Sequence, residues 1–150
     1  MFCLIHKDPF KVQIFSRILK RSPHTLSPQQ QRGLWGEKTA ACYLKKKGFK
    51  ILVHRYRCKF GEIDLVARQD ETLVFIEVKT RGSSSYGDPS QAVTPEKQKH
   101  ISRVALDYLR RLNHPQIPVR FDVVEIVDSN GHIECHHIEN AFPLSEPYLY

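Results

Sequence analysis

The run Val74-Phe75-Ile76-Glu77-Val78-Lys79-Thr80-Arg81 decides the fold. In an extended chain, Val74, Ile76 and Val78 fall on one face, while Leu73, Phe75, Glu77, Lys79 and Arg81 fall on the other. Apolar residues on both faces mark a strand that is covered on both sides, and there a charge is expensive. Glu77 and Lys79 therefore need a reason to be where they are. A Glu-x-Lys triplet is by itself a weak signal, since any strand can carry an ordinary ion pair. Its weight comes from the apolar run that holds it.

Just before it, Gly61-Glu62-Ile63-Asp64-Leu65-Val66-Ala67 also alternates, with Ile63, Leu65 and Ala67 on one face and Glu62, Asp64 and Val66 on the other. The two segments read as a hairpin. A turn at Gln69-Asp70 pairs Arg68 with Glu71, sets Asp64 against Phe75 and sets Glu62 against Glu77. Asp64 and Glu77 then become diagonal neighbours, roughly 7 Å apart at Cβ, close enough for both carboxylates to touch one cation. Lys79 projects from the same face. Mg²⁺ takes hard oxygen ligands and keeps several waters, so two carboxylates and the Val78 carbonyl suit it. A site of this kind fits phosphodiester hydrolysis: the cation binds a phosphate oxygen and acidifies water, and Lys79 orients the attacking water and stabilises developing charge.

Upstream, Ser27 as N-cap, Pro28 at the first helical position and Gln30 completing a capping box predict a helix that closes at Gly48. Leu34, Ala40, Ala41 and Leu44 form its apolar stripe, and Glu37 lies near the centre of that stripe. An inward acid needs a partner: a metal site, a hydrogen-bond donor or a structural salt bridge with an arginine. A strand follows at about 49–57. Downstream, 81–89 reads as a flexible loop and Thr94-Pro95 opens a second helix to about Arg111. Two strands at 119–127 and 132–138 are joined by the turn Asp128-Ser129-Asn130-Gly131. The expected architecture is α/β, a mixed sheet of about five strands flanked by helices in the order αβββαββ.

Length and charge agree with this. A chain of 150 residues with 41% hydrophobic and 26% charged residues excludes general disorder, and it is not apolar enough for a membrane protein. The net charge of +7 is uneven: residues 1–60 carry fourteen Lys and Arg against two acids, residues 61–150 nine against fourteen. A basic front attracts polyanions, and an acidic back accepts phosphate only with a cation between them, unless both are plain solvated surface. Arg55, Arg57 and Lys59, interleaved with Tyr56 and Phe60, suit a phosphate backbone or a base, or form a solvated basic edge. His132, Cys135, His136 and His137 invite a zinc reading, but consecutive strand residues point to opposite faces. The four cysteines form no CxxC pair. Residues 1–26 read as a basic appendage, a mobile tail or an amphipathic helix built on Phe10, Ile14 and Ile18, and 27–150 as the domain. Lys7, Asp8, Lys11 and Arg17 interrupt the apolar residues near the N-terminus, so the expectation is a cytoplasmic protein without stable membrane association.

The pattern Gly33-x-x-Gly36-Glu37-x-x-Ala40-x-x-Tyr43-Leu44-x-x-x-Gly48, then Gly61-Glu62-Ile63-Asp64-Leu65-Val66-Ala67, then the Val74–Arg81 run, resembles the YraN family of predicted bacterial nucleases. That family is similar to the PD-(D/E)XK, restriction endonuclease-like superfamily, close to archaeal Holliday junction resolvases. The resemblance extends through Lys97-Gln98, Arg120-Phe121-Asp122-Val123-Val124 and Asn140-Ala141-Phe142, over about residues 30–142. It implies a restriction endonuclease-like fold in which Asp64 and Glu77 bind Mg²⁺ or Mn²⁺, Lys79 is the catalytic lysine and Glu37 is the helix acid. Lys97 and Gln98 fall where related nucleases put residues facing the site. The implied partner is nucleic acid, DNA rather than RNA, with Arg55, Arg57, Lys59, Arg81, Lys97 and Gln98 as contacts. A homodimer is implied by analogy with resolvases alone. Ile63 stands where the superfamily name has proline. The competing expectation is a binding module that keeps the fold and cuts nothing.

Overall fold

Ser27 begins the first helix by accepting from the Gln30 N–H at 3.2 Å, while Gln30 Oε1 accepts from the Ser27 N–H at 3.0 Å. This reciprocal pair is the capping box that the sequence implies, and it fixes the start of α1, Pro28–Lys46. Gly48, at φ +89°, turns the chain out of the helix in a conformation that costs glycine little. The computed structural model describes residues 26–82 and 93–145. The appendage, Leu26 excepted, and the serine-rich segment after Gly82 lie outside the described residues.

Next come β1 (Lys50–Cys58), β2 (Gly61–Gln69), β3 (Thr72–Gly82), α2 (Pro95–Arg111), β4 (Val119–Ser129) and β5 (His132–Ile138). The chain is α/β, with the expected order of elements. Its five strands lie in sequence order across one sheet. β3 and β4 pair parallel across the α2 crossover, and the other neighbours pair antiparallel. β3 is the central strand, and Leu73 to Glu77 are buried. On one face α1 packs Ala40, Ala41 and Leu44 against Leu65, Val74, Ile76 and Ile126. On the other, α2 packs Ile101, Val104 and Tyr108 against Tyr56, Val66, Phe75 and Phe121. Among the described residues, no helix is long and apolar enough to cross a membrane.

Three local expectations are corrected. The β2–β3 turn is Asp70-Glu71, one residue later than read, so Gln69 faces Thr72, Arg68 faces Leu73 and Val66 faces Phe75. Asp70 supplies the left-handed backbone, φ +51°, that a two-residue turn demands. The shift moves every pair by two, so faces are kept while partners change. Secondly, Ile63 does not share a face with Leu65 and Ala67: it packs under α2, and they pack under α1. The alternation breaks at Asp64, beside Arg55, which has φ +51°. Lastly, Asp128 and Ser129 belong to β4, and the turn narrows to Asn130-Gly131, both left-handed at φ +55° and +88°.

α1 approaches β3 very closely at Gly36, where an added Cβ would overlap Thr80 Oγ1 and stand 3.3 Å from Thr80 Cβ. The missing side chain lets the helix sink far enough to bury Glu37. Gly36→Ala should therefore destabilise the fold by about 1–3 kcal/mol through overpacking. A second substitution, Thr80→Ala, should recover part of that loss. Gly33→Ala, in the same helix with open space around it, should stabilise by up to about 1 kcal/mol. Urea unfolding midpoints of the three variants and wild type check both signs, and equal effects at 33 and 36 would contradict the contact.

Candidate functional site

Glu77 reaches the sheet interior because β3 is covered on both sides, and only 5% of it is exposed. Its Oε1 lies 3.0 Å from Lys79 Nζ and 3.2 Å from Lys97 Nζ. Lys79 comes from the same strand face two residues on. Lys97 comes from the first turn of α2, where its N–H donates to the capping Thr94 hydroxyl at 3.3 Å. The second oxygen, Glu77 Oε2, is buried with no hydrogen-bond partner. One oxygen thus carries two ammonium groups and the other carries none. A buried acceptor left in that state costs roughly 1–3 kcal/mol.

The paired register of β2 and β3 ends at Leu65 facing Ile76, and its next step would set Asp64 opposite Glu77 rather than diagonal to it. Past Leu65 the strands part, and the Val78 N–H is taken by Asp64 Oδ2 at 2.8 Å. The Val78 N–H is thus a donor to the Asp64 carboxylate. Burial pushes the Asp64 carboxyl up to about 7, and the charge of Glu77 adds to the shift. The bond from Val78, which lowers it, the Glu37 carboxylate, which raises it, and the Lys97 ammonium, which lowers it, are smaller influences in that order. Two carboxyl groups compete here for too little positive charge.

Glu37 faces inward from α1, 7% exposed, and meets an arginine. Arg55 Nε donates to its two oxygens at 2.9 and 2.7 Å, and Nη2 donates to Oε1 at 2.6 Å. This is a fork-shaped pair of the strong kind. Arg55 reaches it from a left-handed backbone, φ +51°, a strained conformation for a residue with a side chain. Hydrogen bonding to Glu37 raises the guanidinium pKa further above its already high value. Among the described residues no group of three or more His, Cys, Asp or Glu gathers closely enough to hold a metal ion. The cluster is therefore a pair of acids, Asp64 and Glu77, with Lys79 and Lys97 on one side and the Glu37–Arg55 pair alongside.

The other residues singled out are dispersed. Arg57 pairs with the exposed Glu62 at 2.8 Å, and Arg81 Nε stands 2.6 Å from buried Glu125 on β4. Gln98 Nε2 donates to the Val93 carbonyl at 3.0 Å, clamping the entry to α2. Tyr56 is buried, with its hydroxyl donating to Asp107 at 2.6 Å. Lys59 and Phe60 sit at the open tip of the β1–β2 hairpin, with the lysine over the ring at 5.0 Å. His132 and His136 flank exposed Glu134, whereas His137 turns inward. Its Nε2 lies 2.8 Å from Asp122, which also accepts from Arg120 and from the Asn140 N–H. Burial raises the Asp122 pKa, but those bonds outweigh it and hold the carboxyl below its ordinary range. The sequence reading missed this network. The available signal was Arg120 and Asp122, two apart on one strand face.

A family model described as "Uncharacterised protein family UPF0102" matches residues 36–126, the span from Gly36 into β4 that contains every member of the cluster. Among curated relatives, a UPF0102 protein of Syntrophomonas wolfei is 44% identical over 75% of this chain and 98% of its own length. One from Geobacter metallireducens is 46% identical over 75% of this chain and 93% of its own. Another from Chlorobium phaeobacteroides is 47% identical over 80% of this chain and 95% of its own.

A carboxyl whose folded pKa is raised binds more protons folded than unfolded between the two values. Stability then falls as pH rises through that window. For Asp64 the window runs from about 4 to about 7. Asp107 and Asp122, held low, lose their contribution only as pH falls through and below the ordinary carboxylate range. In EDTA, the urea midpoint of wild type minus that of Asp64→Asn should decline between pH 4 and pH 7. A difference that stays flat would contradict the crowding of these two acids.

Proposed function

The chain belongs to the uncharacterised protein family UPF0102, and we propose that it is a nuclease dependent on Mg²⁺ or Mn²⁺ that hydrolyses phosphodiester bonds of nucleic acid, DNA in the first place. The observation that carries this reading is the unpartnered Glu77 Oε2, buried beside the proton-hungry Asp64 carboxyl. Hard anionic oxygens lacking positive charge are the donor set that such a cation takes, so Asp64 and Glu77 fit it. When bound, the ion supplies Lewis acidity to a phosphate oxygen and offsets charge building at phosphorus.

The protein's own groups do the rest. Lys79, one-third exposed, reaches from Glu77 toward solvent, where its ammonium donates to the attacking water and to the negative oxygens of the phosphate. Lys97 holds Glu77 Oε1 from α2, which leaves Oε2 as the oxygen that would bind the ion. Asp64 would hold the ion through its carboxylate, and the Val78 N–H keeps Oδ2 in place. Glu37 and Arg55 form a fixed wall: the guanidinium keeps the helix carboxylate neutralised near the acids. The basic N-terminal half of the chain supplies backbone attraction that weakens steeply with salt.

A second reading is favoured by one observation. Glu37 is saturated by Arg55, so the cluster offers two acids rather than three, as a binding module that does not cut would. Two measurements separate them. With Mn²⁺ and a panel of branched, single-stranded and duplex DNA, Glu77→Ala and Lys79→Ala should abolish cleavage while retaining salt-sensitive binding. Calorimetric titration of Mn²⁺ should give heat with wild type and none with Asp64→Ala. No cleavage and no heat from wild type would favour the module.

A further inference from the structure

Beyond cleavage itself, the tip of the β1–β2 hairpin carries information about which nucleic acid is held. Phe60 is 38% exposed there. Two cations from different elements stand over its ring: Lys59 Nζ at 5.0 Å from the centroid, and Arg103 Cζ from α2 at 5.7 Å. The other aromatic of this segment, Tyr56, is by contrast buried and hydrogen-bonded. The tip lies beside α2. Gly61, at φ +132°, turns the hairpin so that an added Cβ would stand 3.6 Å from Val104 of α2, and the Phe60 N–H points to Cys58 Sγ at 3.4 Å.

The tip also belongs to the site's end of the sheet. Gly61 opens β2 and Asp64 lies three residues further along it, on the order of 10 Å at strand rise. Lys97 and Arg103 stand on the same helix, less than two turns apart, the first on Glu77 and the second on Phe60. A strand whose phosphate rests at Asp64 and Glu77 can thus reach the ring within a few nucleotides.

We propose that Phe60, flanked by Lys59 and Arg103, is a stacking platform for an unpaired base, and that the site therefore takes single-stranded segments of nucleic acid in preference to continuous duplex. Aromatic rings accept the face of any base, but in a duplex both faces of each base are already stacked, so only an unpaired nucleotide offers one. The phosphates on either side of that nucleotide draw Lys59 and Arg103 off the ring and open its face. This inference rests on the nucleic-acid half of the function above and not on cutting.

The test is fluorescence anisotropy in EDTA with a labelled thymidine oligonucleotide and a duplex of equal length. Wild type should prefer the single strand. Phe60→Ala should weaken single-strand binding on the order of tenfold, the scale of one lost stack, and leave duplex binding within about twofold. Phe60→Leu, which keeps apolar bulk at the tip, should behave like the alanine variant, and Phe60→Tyr should restore affinity. Wild-type preference for duplex, an unchanged single-strand affinity in Phe60→Ala, or equal loss on both ligands would overturn the proposal. Because no cation is present, these outcomes are independent of whether Glu77→Ala abolishes cleavage.

Discussion

A carboxylate at the middle of a doubly covered strand must have positive charge brought to it, and Glu77 imposes that requirement on the rest of the molecule. Lys79 answers from the same face of β3, and Lys97 answers from α2. Both go to Oε1, while Oε2 and the facing Asp64 share what is left. The positions of the two helices follow the same need. α1 sinks onto Thr80 through Gly36 and thereby carries Glu37 to its partner Arg55 on β1, and the capped start of α2 carries Lys97.

Two other buried acids, Asp107 and Asp122, show the contrast with Glu77, whereas Glu125 resembles it in having a buried oxygen without a hydrogen-bond partner, although an arginine stands beside it. Asp107 receives Tyr56, Arg110 and Arg111, and its carboxyl is held below the ordinary range. Asp122 receives Arg120, His137 and the Asn140 N–H. Both are closed networks that fasten elements together, α2 to β1 in one case and β4 to β5 and the following turn in the other. A satisfied buried acid is explained by the structure it supports. Glu77 is half satisfied and Asp64 is driven toward its neutral form, so neither is explained by packing alone.

The sequence made the skeleton legible because its cues are local. The Ser27 box, Pro95 after Thr94, the turn ahead of His132 and the apolar run around Glu77 each report on a few neighbouring residues, and each marks an element that forms, that turn being two residues shorter than the sequence implies. What it hid depends on backbone irregularity or on distant chain. The register moved by two because Asp70 adopts a left-handed turn conformation. The face switch at Asp64 and the strained Arg55 are coupled distortions of two strands, which period-two alternation cannot express. That Arg55 would serve Glu37, that Lys97 would serve Glu77 and that Arg103 would cover Phe60 required knowing how helices lie on the sheet. Glu37 was correctly read as inward, with an arginine among its open alternatives, while Arg55 itself was assigned to nucleic acid.

The most direct measurement of the central claim is anomalous diffraction from crystals grown with Mn²⁺. The account requires a single strong peak at bonding distance from Glu77 Oε2 and an Asp64 oxygen, with Lys97 still on Oε1. Density showing both carboxylates bridged only by the lysine ammonium groups, with no anomalous peak between Asp64 and Glu77 at saturating Mn²⁺, would contradict it.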